Sequence, residues 1–293
     1  MSGIVHPYRS ILVLKPDNIT PIRIPVLPNP RILMRPEGYE TQDAISNTAY
    51  EVNFVAGLEI PVIEFNAAVC STWFKAAKVN AFFVTLTGAV GVEDLAVIPD
   101  GGIAFWDGVA GLKASSVKGC SVDLMVQGKG AWVNCRMRFM GLDIAAYADP
   151  SAALLDTFRE NPARSQHVNF TGLTSPLSWS FSGDNGCTPN PEMGDTANLV
   201  TATGGVKPTE INFGRLTGRL SCSLQSNASP PSDGTSVAAV ITPPSGSAMT
   251  LTCPNPIWQG RDARGMSPSN RQSRDFSAIC RGGATGQAPF SFA

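Results

Sequence analysis

Strict alternation of apolar and polar residues recurs along the chain and predicts β-strands. The clearest case is a pair of runs at residues 120–127 and 133–139, each with an apolar side chain at every second position. The triplet Gly128-Lys129-Gly130 lies between them, and glycine is typical of the tight turn of a hairpin. A period of two places one face of this hairpin in a core and leaves the other in solvent.

The second half of the chain repeats this pattern. Residues 177–182 alternate apolar side chains with serine, and residues 216–225 alternate without interruption. Apolar or aromatic-rich runs predict further short strands at residues 50–54, 60–65, 81–87, 211–213, 237–241, 249–253 and 276–280. We therefore expect an all-β protein with one or two short helices, whose many turns are supplied by 28 glycines and 23 prolines.

Helices and loops account for the other segments with a readable pattern. The best helical segment is residues 149–159, which has a proline at its second position and ends before Pro162. Residues 71–78 or 91–97 are alternatives for further short helices. Residues 259–274 have no apolar period and are predicted to form a loop.

Closely spaced prolines distinguish the first 45 residues from the rest. Seven prolines fall within residues 1–45, a spacing that disfavours long helices and central strands, so an extended N-terminal arm is predicted. Its apolar stretches at residues 11–14 and 32–34 either dock on a neighbouring surface or fold back on their own domain. The remaining chain divides into a first β domain at residues 46–148 and a second at residues 149–293, which begins with the predicted helix.

Charge and cysteine content exclude several classes of protein. Charged residues make up 15% of the chain and the formal net charge is -1, which gives no field to hold nucleic acid or an anionic membrane tightly. No apolar stretch is long enough for a membrane-spanning helix. The seven cysteines form no CxxC pair and several fall in apolar strand positions. This favours buried free thiols in a reducing compartment over disulfides or metal ligands.

Residues able to carry catalysis are scarce. The two histidines, His6 and His167, have no catalytic or metal-binding motif around them. Patterns for a nucleophile elbow, a zinc protease or a phosphate loop are missing, so neither an enzyme nor a cofactor site is predicted. The loop at residues 184–195 contains oxygen ligands suited to calcium, although its Asn and Gly residues equally suit a plain turn. The arginines within residues 261–281 suit a solvated loop, a subunit contact or a phosphate contact.

Three segments resemble the tail tube proteins, or major tail proteins, of long-tailed bacteriophages. Residues 117–141 resemble the long strand pair of those proteins. Residues 175–185 followed by residues 208–227, within the sequence KPTEINFGRLTGRLSCSLQSN, look like a second copy of that pair, and AICRGGATGQAPFSFA at residues 278–293 resembles the way many of these chains close. The resemblance covers most of the chain from about residue 45 onward.

This resemblance implies a fold, an assembly and a function. Each half would be a β-sandwich or small barrel, and copies would form trimeric rings with pseudo-sixfold symmetry, unless one elaborated domain forms a hexameric ring. Stacked rings, joined by other tail proteins, would conduct double-stranded DNA without binding it tightly. The protein would be synthesised in the host bacterial cytoplasm and reside in the virion tail. The alternative is a receptor- or carbohydrate-binding β module of a tail tip or capsid.

In such a tube, one face of the long strands would line the channel. The polar positions of the best strand patterns are the predicted lining residues: Asp123, Asn134, Arg136, Arg138, Thr217, Arg219, Ser221, Ser223 and Gln225. Because unpaired arginines attract phosphate, we expect Asp123 to lie opposite an arginine of the paired strand and to neutralise it.

Overall fold

Antiparallel strands dominate the computed structural model, which describes residues 11–25, 31–33, 39–41, 54–56, 60–70, 73–74, 98, 100–148, 150, 161–174, 176–190, 208, 210–212, 214–225, 228–266, 272–282 and 288–293. In chain order the strands are β1 (Ile11–Leu14), β2 (Ile22–Ile24), β3 (Arg31–Leu33), β4 (Tyr39–Thr41), β5 (Phe54–Ala56), β6 (Val62–Ala68), β7 (Ile103–Trp106), β8 (Gly111–Ser115), β9 (Lys118–Gln127), β10 (Val133–Met140), β11 (Asp143–Tyr147), β12 (Val168–Thr171), β13 (Ser178–Asp184), β14 (Thr188–Asn190), β15 (Glu210–Asn212), β16 (Thr217–Gln225), β17 (Val237–Ile241), β18 (Met249–Cys253), β19 (Asn255–Met266), β20 (Gln272–Arg281) and β21 (Ser291–Phe292). The protein is all-β, which confirms the fold class predicted from the alternating pattern.

The predicted helices cannot be compared with the structure over most of their length. Residues 73–74, within the predicted segment 71–78, are helical. The predicted helix at residues 149–159 lies outside the described residues except for residue 150, and the predicted strand at residues 81–87 lies outside them entirely.

Eight strands form one sheet that runs through both halves of the chain, in the order β19-β20-β16-β13-β9-β10-β6-β3. We call it the large sheet. At its centre, β9 pairs with β10 of the first half and with β13 of the second. The predicted hairpin turn is confirmed, because Gly128 and Gly130 have φ values of 64° and 82°, which glycine adopts without strain.

Two smaller sheets pack on one side of the large sheet. Their orders are β11-β8-β7-β1-β2 and β12-β17-β18-β21. A single apolar cluster contains side chains of the large sheet together with Leu12 and Ile103 from the five-stranded sheet and Ala239 and Leu251 from the four-stranded sheet. The molecule is therefore layered, with the core between the large sheet and the two smaller ones. Two-stranded ribbons, β4-β5 and β14-β15, complete the described strands.

Aromatic rings from the segment after β20 fill the core above the second half of the large sheet. The ring of Phe290 lies 4.8 Å from that of Phe181, and the ring of Phe292 lies 6.0 Å from it. Gly183 and Gly218 face each other in neighbouring strands. A Cβ atom at either glycine would come within 2.8 Å of the Phe290 ring, so the pair is needed for this close approach.

The prediction that residues 1–45 contain no central strand is wrong, because β1 is a central strand. This strand lies between β7 and β2, and all four of its residues are buried. Prolines occur before and after the strand in the sequence but not within it, so they bound a four-residue strand without removing any of its hydrogen bonds. The apolar stretch therefore packs on its own chain, and β3 likewise pairs with β6.

The prediction of a loop at residues 259–274 is also wrong, because β19 extends to Met266 and β20 begins at Gln272. The register between the two strands shifts between Gln259 and Ala263. Such a bulge breaks the two-residue period of the strand, which explains why the sequence shows no alternation there. The arginine-rich segment is thus a strand pair at one end of the large sheet.

Candidate functional site

The face of the large sheet that points away from the core carries mainly polar side chains, and we call it the polar face. In β16, exposed or half-buried residues alternate with buried ones along the whole strand, and β10 shows the same alternation over most of its length. The nine predicted lining residues all lie on this face, three half-buried (Asp123, Arg138 and Ser223) and six exposed (Asn134, Arg136, Thr217, Arg219, Ser221 and Gln225). Whether this face lines a channel is a separate prediction.

Uncharged side chains form a row across the middle of the polar face. Ser180 lies opposite Ser221, which in turn lies opposite Ser277. Met125 and Asn134 continue the row on β9 and β10. The same serines and Met125 line a shallow open groove on this side of the sheet. The row is hydroxyl-rich and its side chains carry no charge.

The neighbouring row includes charged side chains. Asp123 lies directly opposite Arg136, which confirms the prediction that it faces an arginine of the paired strand. The carboxylate that binds Arg136 is nevertheless a different one. Glu64 Oε1 accepts a hydrogen bond of 2.7 Å from Arg136 Nε and a second from Nη2. Glu64 was missed because it lies within an apolar strand, where a single acid at a polar-phase position was its only signal.

Both acids and bases lie on this face. Among the described residues, strand register places six basic residues on it, namely Arg31, Lys118, Arg136, Arg138, Arg219 and Arg281, together with four carboxylates, namely Glu64, Asp123, Asp184 and Asp275. An exposed ion pair contributes little to folding stability. The four carboxylates offset part of the positive charge of the basic residues.

Residues 184–186, which belong to the described part of the segment considered for calcium, form a turn at one end of the polar face. The backbone N–H of Gly186 donates a hydrogen bond to Asp184 Oδ1. Asn185 is 1% exposed, and its Nδ2 donates a 2.8 Å hydrogen bond to the carbonyl of Gly119. Among the described residues, no group of three or more His, Cys, Asp or Glu side chains is arranged to hold a metal ion. These contacts are those of a structural turn.

Replacing Asn185 by alanine should destabilise the protein. The change removes the hydrogen bond to Gly119 and leaves an unfilled space, which costs about 1–3 kcal/mol. We expect the midpoint of thermal unfolding, followed by circular dichroism, to fall by several degrees. The matched control is Asn134→Ala, because Asn134 is an exposed amide on the same sheet. An equal change in both variants would contradict a structural role specific to Asn185.

The histidines and tryptophans have structural surroundings where the structure describes them. His167 accepts the backbone N–H of Arg164 at Nδ1, at 3.1 Å, while His6 lies outside the described residues. Trp179 is buried, and Trp132 is 43% exposed with the Arg164 guanidinium 6.0 Å from its ring. No helix in the described ranges is long and apolar enough to cross a membrane.

The cysteines follow the predicted pattern of buried thiols. Six of the seven are buried and Cys187 is half-buried, and all seven are free. Cys135 and Cys222 lie on the core side of the large sheet. Burial is the main cause that raises the pKa of both thiols, that of Cys222 to about 12, so they behave as small apolar residues at neutral pH.

The sequence matches no protein-family model, and no curated protein shows significant similarity to it. The function is therefore inferred from the large sheet and its polar face.

Proposed function

We propose that this protein is a structural subunit of a bacteriophage tail tube, which assembles with copies of itself into stacked rings around a DNA-conducting channel. The observation that carries the proposal is the large sheet, to which four strands before residue 149 and four strands after it contribute. One side of this sheet packs in the core, while the other is polar and carries side chains of both charges. Such a sheet is suited to be one segment of a channel wall.

The ends of the large sheet support assembly into rings. Within the described residues, β19 and β3 are its edge strands, and an edge strand presents backbone groups that can pair with another chain. Pairing of β19 in one copy with β3 in the next would continue the sheet between subunits. Because this contact joins two different surfaces, it closes into a ring when the rotation between copies allows.

The number of strands sets the width of the proposed channel. Eight strands closed on themselves enclose little more than their own side chains, so a single copy cannot surround DNA. Three copies of the eight-stranded sheet would contribute 24 strands. At a spacing of about 4.8 Å and a tilt of about 40°, these form a cylinder roughly 45–50 Å across between backbones. A cylinder of that width admits a DNA double helix, which favours trimeric rings.

The polar face suits the passage of DNA better than its retention. Each unneutralised basic group that contacts phosphate releases counterions and strengthens binding. Here Arg136 is bound by Glu64, and the adjacent row of serines is uncharged. DNA would therefore meet a row of hydroxyl groups and an arginine whose charge is already paired with a carboxylate, which hold it weakly.

Electron microscopy of the purified protein tests this proposal. We expect rings or tubes in negative stain, and a native mass of about 93 kDa for the ring, which is three copies of the 30.9 kDa chain. A mass of about twice that value would indicate six copies and correct the ring size only. A monomer at every concentration, without rings or tubes, would refute the proposal.

The second candidate is a receptor- or carbohydrate-binding β module of a tail tip or capsid, and the exposed Trp132 is the observation that favours it. Sugars pack well on exposed aromatic rings. Among the described residues, however, Trp132 is the one aromatic side chain in the set of largely exposed apolar residues, whereas such modules usually present several. Glycan binding by a protein that forms no rings would favour this candidate.

A further inference from the structure

Two thiols from distant parts of the sequence meet at one end of the large sheet. Cys120 lies on β9, and Cys187 directly precedes β14. Cys187 Sγ donates to the carbonyl of Gly119 at 3.5 Å, and Gly119 is bonded to Cys120. Both cysteines pack in the same small apolar cluster, with Ile60, Val62, Met140 and Ile211.

Backbone contacts hold the two segments in this position. The N–H of Asn185 donates to the carbonyl of Cys120 at 2.8 Å, and the Asn185 side chain donates to Gly119. Gly214 N–H in turn donates to the carbonyl of Asn185 at 2.9 Å. The approach of the thiols therefore depends on a braced turn and not on side-chain rotation alone.

The two thiols differ in their access to solvent. Cys120 is 5% exposed, whereas Cys187 is half-buried. A hydrogen bond between the thiols is the main cause that raises the pKa of Cys120, with burial second. Cys187 is therefore the thiol that a reagent from solution reaches first. Cys120 is the buried thiol next to it.

We propose that Cys120 and Cys187 form a reversible disulfide when the protein meets a two-electron thiol oxidant such as a small-molecule disulfide or an azodicarboxamide. Cys187 Sγ first forms a covalent adduct with the oxidant, which is a mixed disulfide with release of one small thiol, or a sulfur–nitrogen adduct with the azodicarboxamide. Cys120 Sγ then attacks Cys187 Sγ, so that the sulfur–sulfur bond forms and the bond between Cys187 and the oxidant breaks. The oxidant leaves as a second small thiol or as the hydrazine, having taken up two electrons and the two thiol protons. The bond links β9 of the first half to the turn after β13 of the second half. This site does not depend on the proposed function.

A second thiol pair provides a matched comparison within the same chain. A hydrogen bond between Cys253 and Cys280 raises the pKa of Cys253, so these thiols are also neighbours. Both are buried, at 0% and 4% exposure. Because neither is accessible to an oxidant in the folded state, this pair should stay reduced under conditions that oxidise Cys187.

The experiment treats the full chain with diamide, an azodicarboxamide, blocks the remaining thiols and maps the peptides by mass spectrometry without reduction. We expect a linked peptide pair containing Cys120 and Cys187, which dithiothreitol cleaves. We also expect the midpoint of thermal unfolding to rise on the order of 5 °C upon oxidation. Before oxidation, reductant should leave that midpoint unchanged.

Two single variants complete the test. Cys187→Ser should abolish the linked peptides and the thermal shift, whereas Cys253→Ser should retain both. An adduct on Cys187 without a link to Cys120, or a link between two chains through Cys187, would overturn the proposal. So would a Cys253–Cys280 link that forms at least as fast. The peptide map of the wild-type chain distinguishes these outcomes even if a variant fails to fold.

Discussion

Replacing Leu12 by aspartate should prevent the protein from folding. Leu12 is 1% exposed and lies in a central strand between Ile24 and Phe105. The substitution removes a buried apolar side chain and places an unpaired carboxylate in the core, which costs several kcal/mol. A domain is stable by only about 5–15 kcal/mol. We expect loss of the soluble protein or of its cooperative unfolding transition in circular dichroism.

The matched control is Ile19→Asp in the loop that follows the same strand. Ile19 is 99% exposed, so the control should fold and melt like the wild-type protein. Deleting residues 1–40, which removes β1, β2 and β3, should abolish folding as Leu12→Asp does. A Leu12→Asp variant that melts at the wild-type temperature would show that β1 does not belong to the core.

Placing two lysines on the polar face should turn it into a DNA-binding surface. Asn134 and Ser221 are exposed there, on strands β10 and β16, and the residues directly opposite them are uncharged. The double variant Asn134→Lys, Ser221→Lys adds two positive charges without a facing acid, and each can release about one counterion on contact with phosphate. We expect the affinity of one chain for duplex DNA to rise about tenfold at low salt, and the salt slope to steepen by about two. Fluorescence anisotropy with labelled duplex DNA measures both.

The control changes the net charge equally at another surface. Ala145 and Ala146 are exposed on β11 of the five-stranded sheet, so Ala145→Lys, Ala146→Lys adds the same charge away from the polar face. We expect a smaller gain in DNA affinity from this variant. Equal gains would mean that DNA responds to the overall charge of the protein, and the polar face would lose its special role.

The sequence predicted strands best where one face of the strand is buried and the other is exposed to solvent. The hairpin of β9 and β10, with its glycine turn, and the alternating strand β16 follow directly from a period of two. The opposition of Asp123 and Arg136 also follows, because a tight turn fixes the register of the two strands it joins. These features depend on neighbouring residues in the sequence.

Features that depend on distant segments could not be read in this way. The proline spacing around β1 indicates an extended chain, but it does not show that β7 supplies its partner some 90 residues later. The edge strand β19 lost its period at a bulge. Glu64 reaches Arg136 diagonally between β6 and β10, and only the pairing of those strands brings it there. Each error came from a tertiary contact that overrides a local pattern.

During translation, Phe290 and Phe292 are synthesised after strands β1 to β20. Until these rings emerge, the space beside Gly183 and Gly218 stays unfilled and the core above the second half is incomplete. The many long-range pairings of the chain already make folding slow. We therefore expect growing chains on the ribosome to lack a stable large sheet until these two rings have been synthesised.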